Sequence, residues 1–246
     1  NRALGVLALL GLSAAAAPLS RPSPPRSPAA GEGLCSPCVQ IGSQAVNALL
    51  NYILNAGVVG GCGELCSKVS SKPAQTACDL VCSVVGIKAF TKALNHTDID
   101  PIYFCEELHA CTPGSANASV KILGVQADPA SIKKGDTIQL TMLLDVGVPS
   151  GVGEFHVSVQ GPVTEPVSQS FLLSDGLAAG NQSEGVNLKV QDDQSGDFPV
   201  IWSPGTYTFT FEVCQGECHS KHPHSKFFGA MSGSFRLSET GTALLV

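Results

Sequence analysis

"CGELCSKVSSKPAQTACDLVC" (residues 62–82) sets its cysteines at 62, 66, 78 and 82, a mirror pattern of steps 4, 12 and 4. Residues four apart on a helix lie one above the other, so Cys62 and Cys66 share a face, as do Cys78 and Cys82. "SSKP" (70–73) breaks the helical pattern between them. If the two helices run antiparallel around that break, Cys66 meets Cys78 and Cys62 meets Cys82, two rungs across one hairpin. Pairing within a helix is disfavoured because the two Cβ vectors point the same way. Facing helices usually sit about 8–10 Å apart, whereas a disulfide wants Cα atoms within about 7 Å. Gly60, Gly61 and Gly63 are expected to permit that approach. A zinc site made of the same sulfurs competes with this reading, but such sites usually space their ligands C-x2-C in tight loops.

The chain has 246 residues, net charge -6 and ten cysteines, eight of them between Cys35 and Cys111. The charge excludes a nucleic-acid partner bound through a basic surface. The sulfur density suits an oxidising compartment. "NRALGVLALLGLSAAAAPLS" has one early arginine, an apolar run and small residues, and residues 1–17 read as a secretory signal peptide lacking its initiator methionine. A mitochondrial presequence is the rival, but this run is apolar on every side. A membrane anchor fails on length, since spanning needs about 20 apolar residues. The expected location is extracellular, or the lumen of an acidic endolysosomal compartment. Asn95-His-Thr97, Asn117-Ala-Ser119 and Asn181-Gln-Ser183 are N-glycosylation acceptors, each expected in a loop.

Residues 18–33 are rich in proline, serine and alanine and read as a linker. From 34 to 113 the texture is helical. Val39, Val46, Leu49, Leu50, Ile53 and Leu54 form one face of a first helix. A shorter helix carries Val58, Cys62, Leu65, Cys66 and Val69. A third runs through Cys78, Val81, Cys82 and Val85 to Phe90 and Leu94. "DIDPIYFCEELHAC" opens a fourth, with Asp100 as N-cap and Pro101 at its first position.

"CSPC" (Cys35, Cys38) at the start and "CEELHAC" (Cys105, Cys111) at the end complete a pattern that resembles the saposin-like framework. "GGCGELC", "ACDLVCSVVG" and "DPIYFCEELHAC" resemble its countin-like branch, secreted proteins with a saposin B-type domain followed by a β-rich domain. The resemblance covers about residues 34 to 237 and implies Cys35–Cys111 and Cys38–Cys105. Spacing alone does not choose these, because eight cysteines allow 105 connectivities. The outer rung Cys62–Cys82 departs from ordinary six-cysteine saposins. Twin C-x3-C hairpins also resemble small chaperones of the mitochondrial intermembrane space, but those end with the hairpin.

From 114 to 240 the pattern alternates, with Gly and Pro punctuation. "SVKILGVQADP", "TIQLTMLLDV", "GEFHVSVQGP", "PGTYTFTFEVC" and "GAMSGSFRLS" read as strands, with "DPASIKKGD" as a turn-rich connection. Tyr207, Phe209, Phe211 and Val213 share one face, and Trp202 belongs to the core. The whole reads as a disulfide-rich all-α saposin-like leaf followed by an all-β, antiparallel, immunoglobulin-like sandwich. Cys214 and Cys218 are expected to pair and pin "CQGECHSKHPHSKFFG". That loop holds His219, His222 and His224, which are metal-ligand candidates by residue type or simply a solvated His-rich loop. Phe227 and Phe228 follow as core or contact residues.

No G-x-S-x-G, H-E-x-x-H or phosphate-cradling loop occurs. The acid pairs Glu106-Glu107 and Asp192-Asp193 read as solvated faces. A non-enzymatic protein without cofactor is expected. Its partner classes are a lipid or membrane surface, extracellular proteins, and further copies of itself. Lipid binding by opening helices would use Val46, Leu50, Ile53, Val81, Val85 and Phe90. Protonating His96 and His109 in an acidic lumen would reduce repulsion from anionic lipid. Resemblance to the countin-like branch implies instead a subunit of a secreted signalling complex that reports cell number. Lysis as in amoebapores is disfavoured by the β domain and the few basic residues.

Overall fold

A computed structural model describes residues 33–56, 60–96, 100–195 and 199–238. The signal-peptide and linker readings lie outside these residues. Among the described residues five helices come first: α1 (Cys35–Ala56), α2 (Cys62–Cys66), α3 (Lys72–Val85), α4 (Ile87–His96) and α5 (Pro101–Glu107). Four were expected. The difference is Gly86, which ends α3 with φ +85, a left-handed conformation that favours glycine, while its N–H still donates to Cys82 O at 2.8 Å. α5 starts as its sequence dictates. Asp100 Oδ1 accepts the Tyr103 N–H at 2.8 Å and Pro101 takes the first helical position. Ile41, Leu49, Leu65, Val81, Phe90, Leu94 and Phe104 are fully buried together in one core.

Eight strands follow among the described residues: β1 (Ser119–Asp128), β2 (Ser131–Lys133), β3 (Thr137–Val148), β4 (Gly153–Gln160), β5 (Val167–Leu173), β6 (Gly180–Lys189), β7 (Gly205–Gln215) and β8 (Lys226–Ser238). They form two curled sheets, ordered β1-β3-β6 and β2-β8-β7-β4-β5. The two-part layout, helical then mostly β, fits the sequence reading. The antiparallel immunoglobulin-like sandwich is corrected. β2, inside the stretch read as a turn, pairs parallel with β8. Register shifts within β1 and at Val213/Cys214 bend the ladders, and β1 lies against β8 of the other sheet. Alternation and turn spacing gave strands without their order, and left β5 and β6 unread. Between the curled sheets, Val157, Val159, Trp202, Tyr207, Phe209, Phe211 and Phe235 build a second core.

The two parts meet at a joint where Thr112 and α5 approach Val152 and the loop after β7, with Gln215 bracing the β side. Gln215, 1% exposed, donates from Nε2 to His224 O (2.7 Å) and Ser115 O (3.4 Å), and its Oε1 accepts from Gly151 N (3.3 Å). Val152 N–H donates to Thr112 O at 3.1 Å, and the Val152 and Leu172 side chains reach the helical core. A Cβ on Gly151 would collide with the Gly114 backbone, so the chain passes here only as glycine.

Candidate functional site

Five disulfides use all ten cysteines. Cys66–Cys78 and Cys62–Cys82 cross from α2 to α3 with Cα separations of 5.6 and 5.7 Å. Cys35–Cys111 and Cys38–Cys105 fasten the start of α1 to α5 and the residues just after it, and Cys214–Cys218 closes the loop after β7. The glycines play no part in the close approach: a Cβ on Gly61 or Gly63 would meet nothing, and one on Gly60 would meet only the Glu64 side chain. The hairpin is tied to α1 by Glu64, whose Oε1 accepts from Tyr52 Oη at 2.7 Å and Oε2 from Gly60 N–H at 2.9 Å. The Tyr52 hydrogen bond, followed by that of Gly60, holds the Glu64 carboxyl below its usual range.

The residues expected to face lipid do not form an open surface. Val81 and Phe90 are fully buried, and Leu50, Ile53 and Val85 are half-buried against the core. The Val46 side chain lies outside the described residues. The exposed apolar side chains of α3 are Leu80 (46%) and Val84 (61%), one turn apart on its outer face. Sequence reasoning passed over them although the same wheel contains them: if 78, 81, 82 and 85 turn inward, 80 and 84 turn outward. Lys72 on α3 and Lys88 and Lys92 on α4 are exposed nearby in the chain, with Asp79 as the acid of these two helices. Three acids, Asp100, Glu106 and Glu107, gather on or at the start of α5 instead.

The loop after β7 forms with Asp100 a cleft of about 470 Å³ lined by Glu217, Cys218, His219, Ser220, Lys221 and His222. Ser220 Oγ donates to Asp100 Oδ2 at 2.6 Å, and the His222 ring stacks on Tyr103 at 4.3 Å and 3°. Cys218 N–H donates to Glu154 Oε1 at 2.8 Å. Glu106 is not the solvated acid expected: it is 6% exposed, and Oε1 has no hydrogen-bond partner. Burial first, then the charges of Asp100 and Glu107, push its carboxyl up to about 7.

The Countin N-terminal domain matches residues 33–109 and the Countin C-terminal domain residues 120–242. Countin-1 of Dictyostelium discoideum is 31% identical over 205 residues, 83% of this chain and 77% of that one. The chain belongs to the countin family. Countin-3 of the same organism is 29% identical over 78% of this chain and 83% of its own. Among solved structures, the alkylpurine DNA glycosylase AlkC of Pseudomonas fluorescens covers 71% of this chain and 52% of its own at 18% identity. Its TM-score of 0.39 is too low to carry an argument.

In this countin-family chain the three loop histidines do not converge. His219 Nε2 lies 3.1 Å from Glu212 Oε2, which His156 Nδ1 approaches at 3.4 Å from the other strand. His222 stacks on Tyr103, and His224 is exposed with φ +70. Among the described residues no three His, Cys, Asp or Glu side chains are placed to hold a metal ion. Of the glycosylation acceptors, Asn117 stands in an exposed turn as expected. Asn181 is exposed but begins β6, and Asn95 falls in the last turn of α4 with its side chain outside the described residues. Phe227 is 49% exposed and Phe228 packs on the β core. Among the described residues no helix is long and apolar enough to cross a membrane.

Proposed function

We propose that this chain is a secreted, extracellular, non-enzymatic factor of the countin family whose helical part is saposin-like and works at a lipid or membrane surface. The observation that carries this reading is the pair Leu80 and Val84, held out to solvent on α3 by a helix whose other face is locked by two disulfides. Burying the exposed portions of both side chains in a bilayer interface contributes about 2 kcal/mol. Lys72, Lys88 and Lys92 supply positive charge for anionic headgroups on the same pair of helices. Because Val81 and Phe90 stay in the core, contact with lipid requires no opening of the clasp. All cysteines are bridged, which leaves no thiol nucleophile and suits an oxidising exterior.

Flotation of the full chain with phosphatidylserine-containing vesicles at pH 5 and pH 7 tests this. Co-flotation that depends on the vesicles is expected; absence at both values would overturn it. A second reading, a subunit of a signalling complex without lipid, is favoured by Leu123 (50% exposed) on β1 and Leu143 (40%) on the neighbouring β3. A protein partner would cover that pair. Native mass well above one chain, together with absent flotation, would select this second reading.

A further inference from the structure

α5 carries two contacts between the helical and β parts, Asp100 with Ser220 and Tyr103 with His222. It also buries Glu106, whose Oε1 has no hydrogen-bond partner. The charged surroundings of this joint come from every side. α5 itself supplies Asp100 and Glu107. α1, packed against α5, has no charged side chain, and α4 brings Lys88 and Lys92, both exposed. The loop supplies Glu217, His219, Lys221 and His222 along the cleft, and β4 supplies Glu154, which is taken up by Cys218 N–H.

We propose that α5 and the loop 217–222 form a pH-sensitive latch that holds the helical part against the β part more tightly in acid than at neutral pH. The pH response comes from the buried, unpartnered carboxyl of Glu106. Glu106, raised to about 7 in the fold, costs nothing below its unfolded value of 4.5, where both states are protonated. As pH rises through about 7 the folded helix must bury a charge, so its stabilisation relative to neutral pH is lost. The His222 ring stacked on Tyr103 and the Ser220 hydroxyl on Asp100 couple α5 to the loop, so whatever steadies α5 also steadies 217–222. The latch is independent of whether lipid is the partner.

The test is amide hydrogen exchange in the intact chain at pH 7.5 and pH 5.5, corrected for the intrinsic rate, over 102–108 and 215–225. From the Glu106 value, the opening constant of α5 should fall about 20-fold between these two pH values. Glu106→Gln should remove most of that change. Ser220→Ala with His222→Leu should raise exchange in 102–108 at least tenfold at pH 5.5 and leave α3 unchanged. Retention of the full pH response in Glu106→Gln would overturn the proposal. So would unchanged α5 exchange in the Ser220/His222 variant at both pH values, or a pH response confined to α5 while 215–225 does not move. Should Glu106→Gln fail to fold, the Ser220/His222 variant and the wild-type loop response still decide.

Discussion

Removing the outer rung of the hairpin, as Cys62→Ala with Cys82→Ala, isolates what the second crosslink contributes. α2 has only five residues, too few to stand as a helix on its own hydrogen bonds. It is held by the two bridges, by burial of Leu65, and by Glu64 to Tyr52. With Cys66–Cys78 intact, the outer bridge closes a further loop of about 10 residues, not the full 20 between its cysteines. Loop entropy for about 10 residues is worth about 2.7 kcal/mol, against about 3.3 for 20. The exposed Tyr52–Glu64 contact is screened by water and does not replace the bridge. Alanine avoids placing a hydroxyl at position 82, which is fully buried. Urea unfolding followed by far-ultraviolet circular dichroism, with the other four bridges verified by mass, should show a loss of about 2.7 kcal/mol at unchanged slope. A loss under about 1 kcal/mol would show that α2 is held by packing and that the mirror of cysteines is not what fixes the hairpin.

Tyr207→Phe removes a buried hydroxyl that donates toward Ser203 O (2.7 Å) and Pro162 O (3.0 Å) and accepts from Ser203 N–H (3.0 Å). A loss of about 1–3 kcal/mol is expected, read from thermal unfolding through Trp202, whose ring lies 5.1 Å away; an unchanged midpoint would contradict it. Asp192 receives Lys134 Nζ and Trp202 N–H, each at 2.9 Å, and these bonds, Lys134 first, hold its carboxyl below the usual range. A depressed carboxyl stabilises the fold above its unfolded value and loses that contribution as pH falls through the folded one. Asp192→Asn should therefore flatten the acid limb of stability and leave the limb above pH 5 in place. An unaltered acid limb would show that the carboxylate is not what ties Lys134, just after β2, to the Trp202 segment.

The helical half was legible because sulfur spacing and helical periodicity point the same way. Cysteines at 62, 66, 78 and 82 specify a face, and the antiparallel hairpin follows from it. Asp100 and Pro101 announced α5 by capping chemistry, which is local. Gly86 was readable as a breaker but lay inside an unbroken apolar series, so α3 and α4 merged. The β half was harder because strand order depends on long-range pairing. β6, "GNQSEGVNLK", is mostly polar because its sheet exposes one side, and β2 is three residues inside a turn-like stretch. Glu106 and Glu107 look equivalent in sequence, yet one is buried and one exposed; only packing separates them. Leu80 and Val84 were present in the same wheel as the buried positions and were missed by attention to the inward face alone.

The membrane reading rests on two side chains, so the most direct measurement compares the intact chain with Leu80→Ser and Val84→Ser combined in flotation with anionic vesicles. Both residues are exposed, so the variant should keep its fold and its circular dichroism spectrum. Losing about 2 kcal/mol of apolar transfer should lower the vesicle-bound to free ratio about 30-fold. An unchanged ratio in the folded variant would place the contact elsewhere on the molecule and contradict the role given to α3.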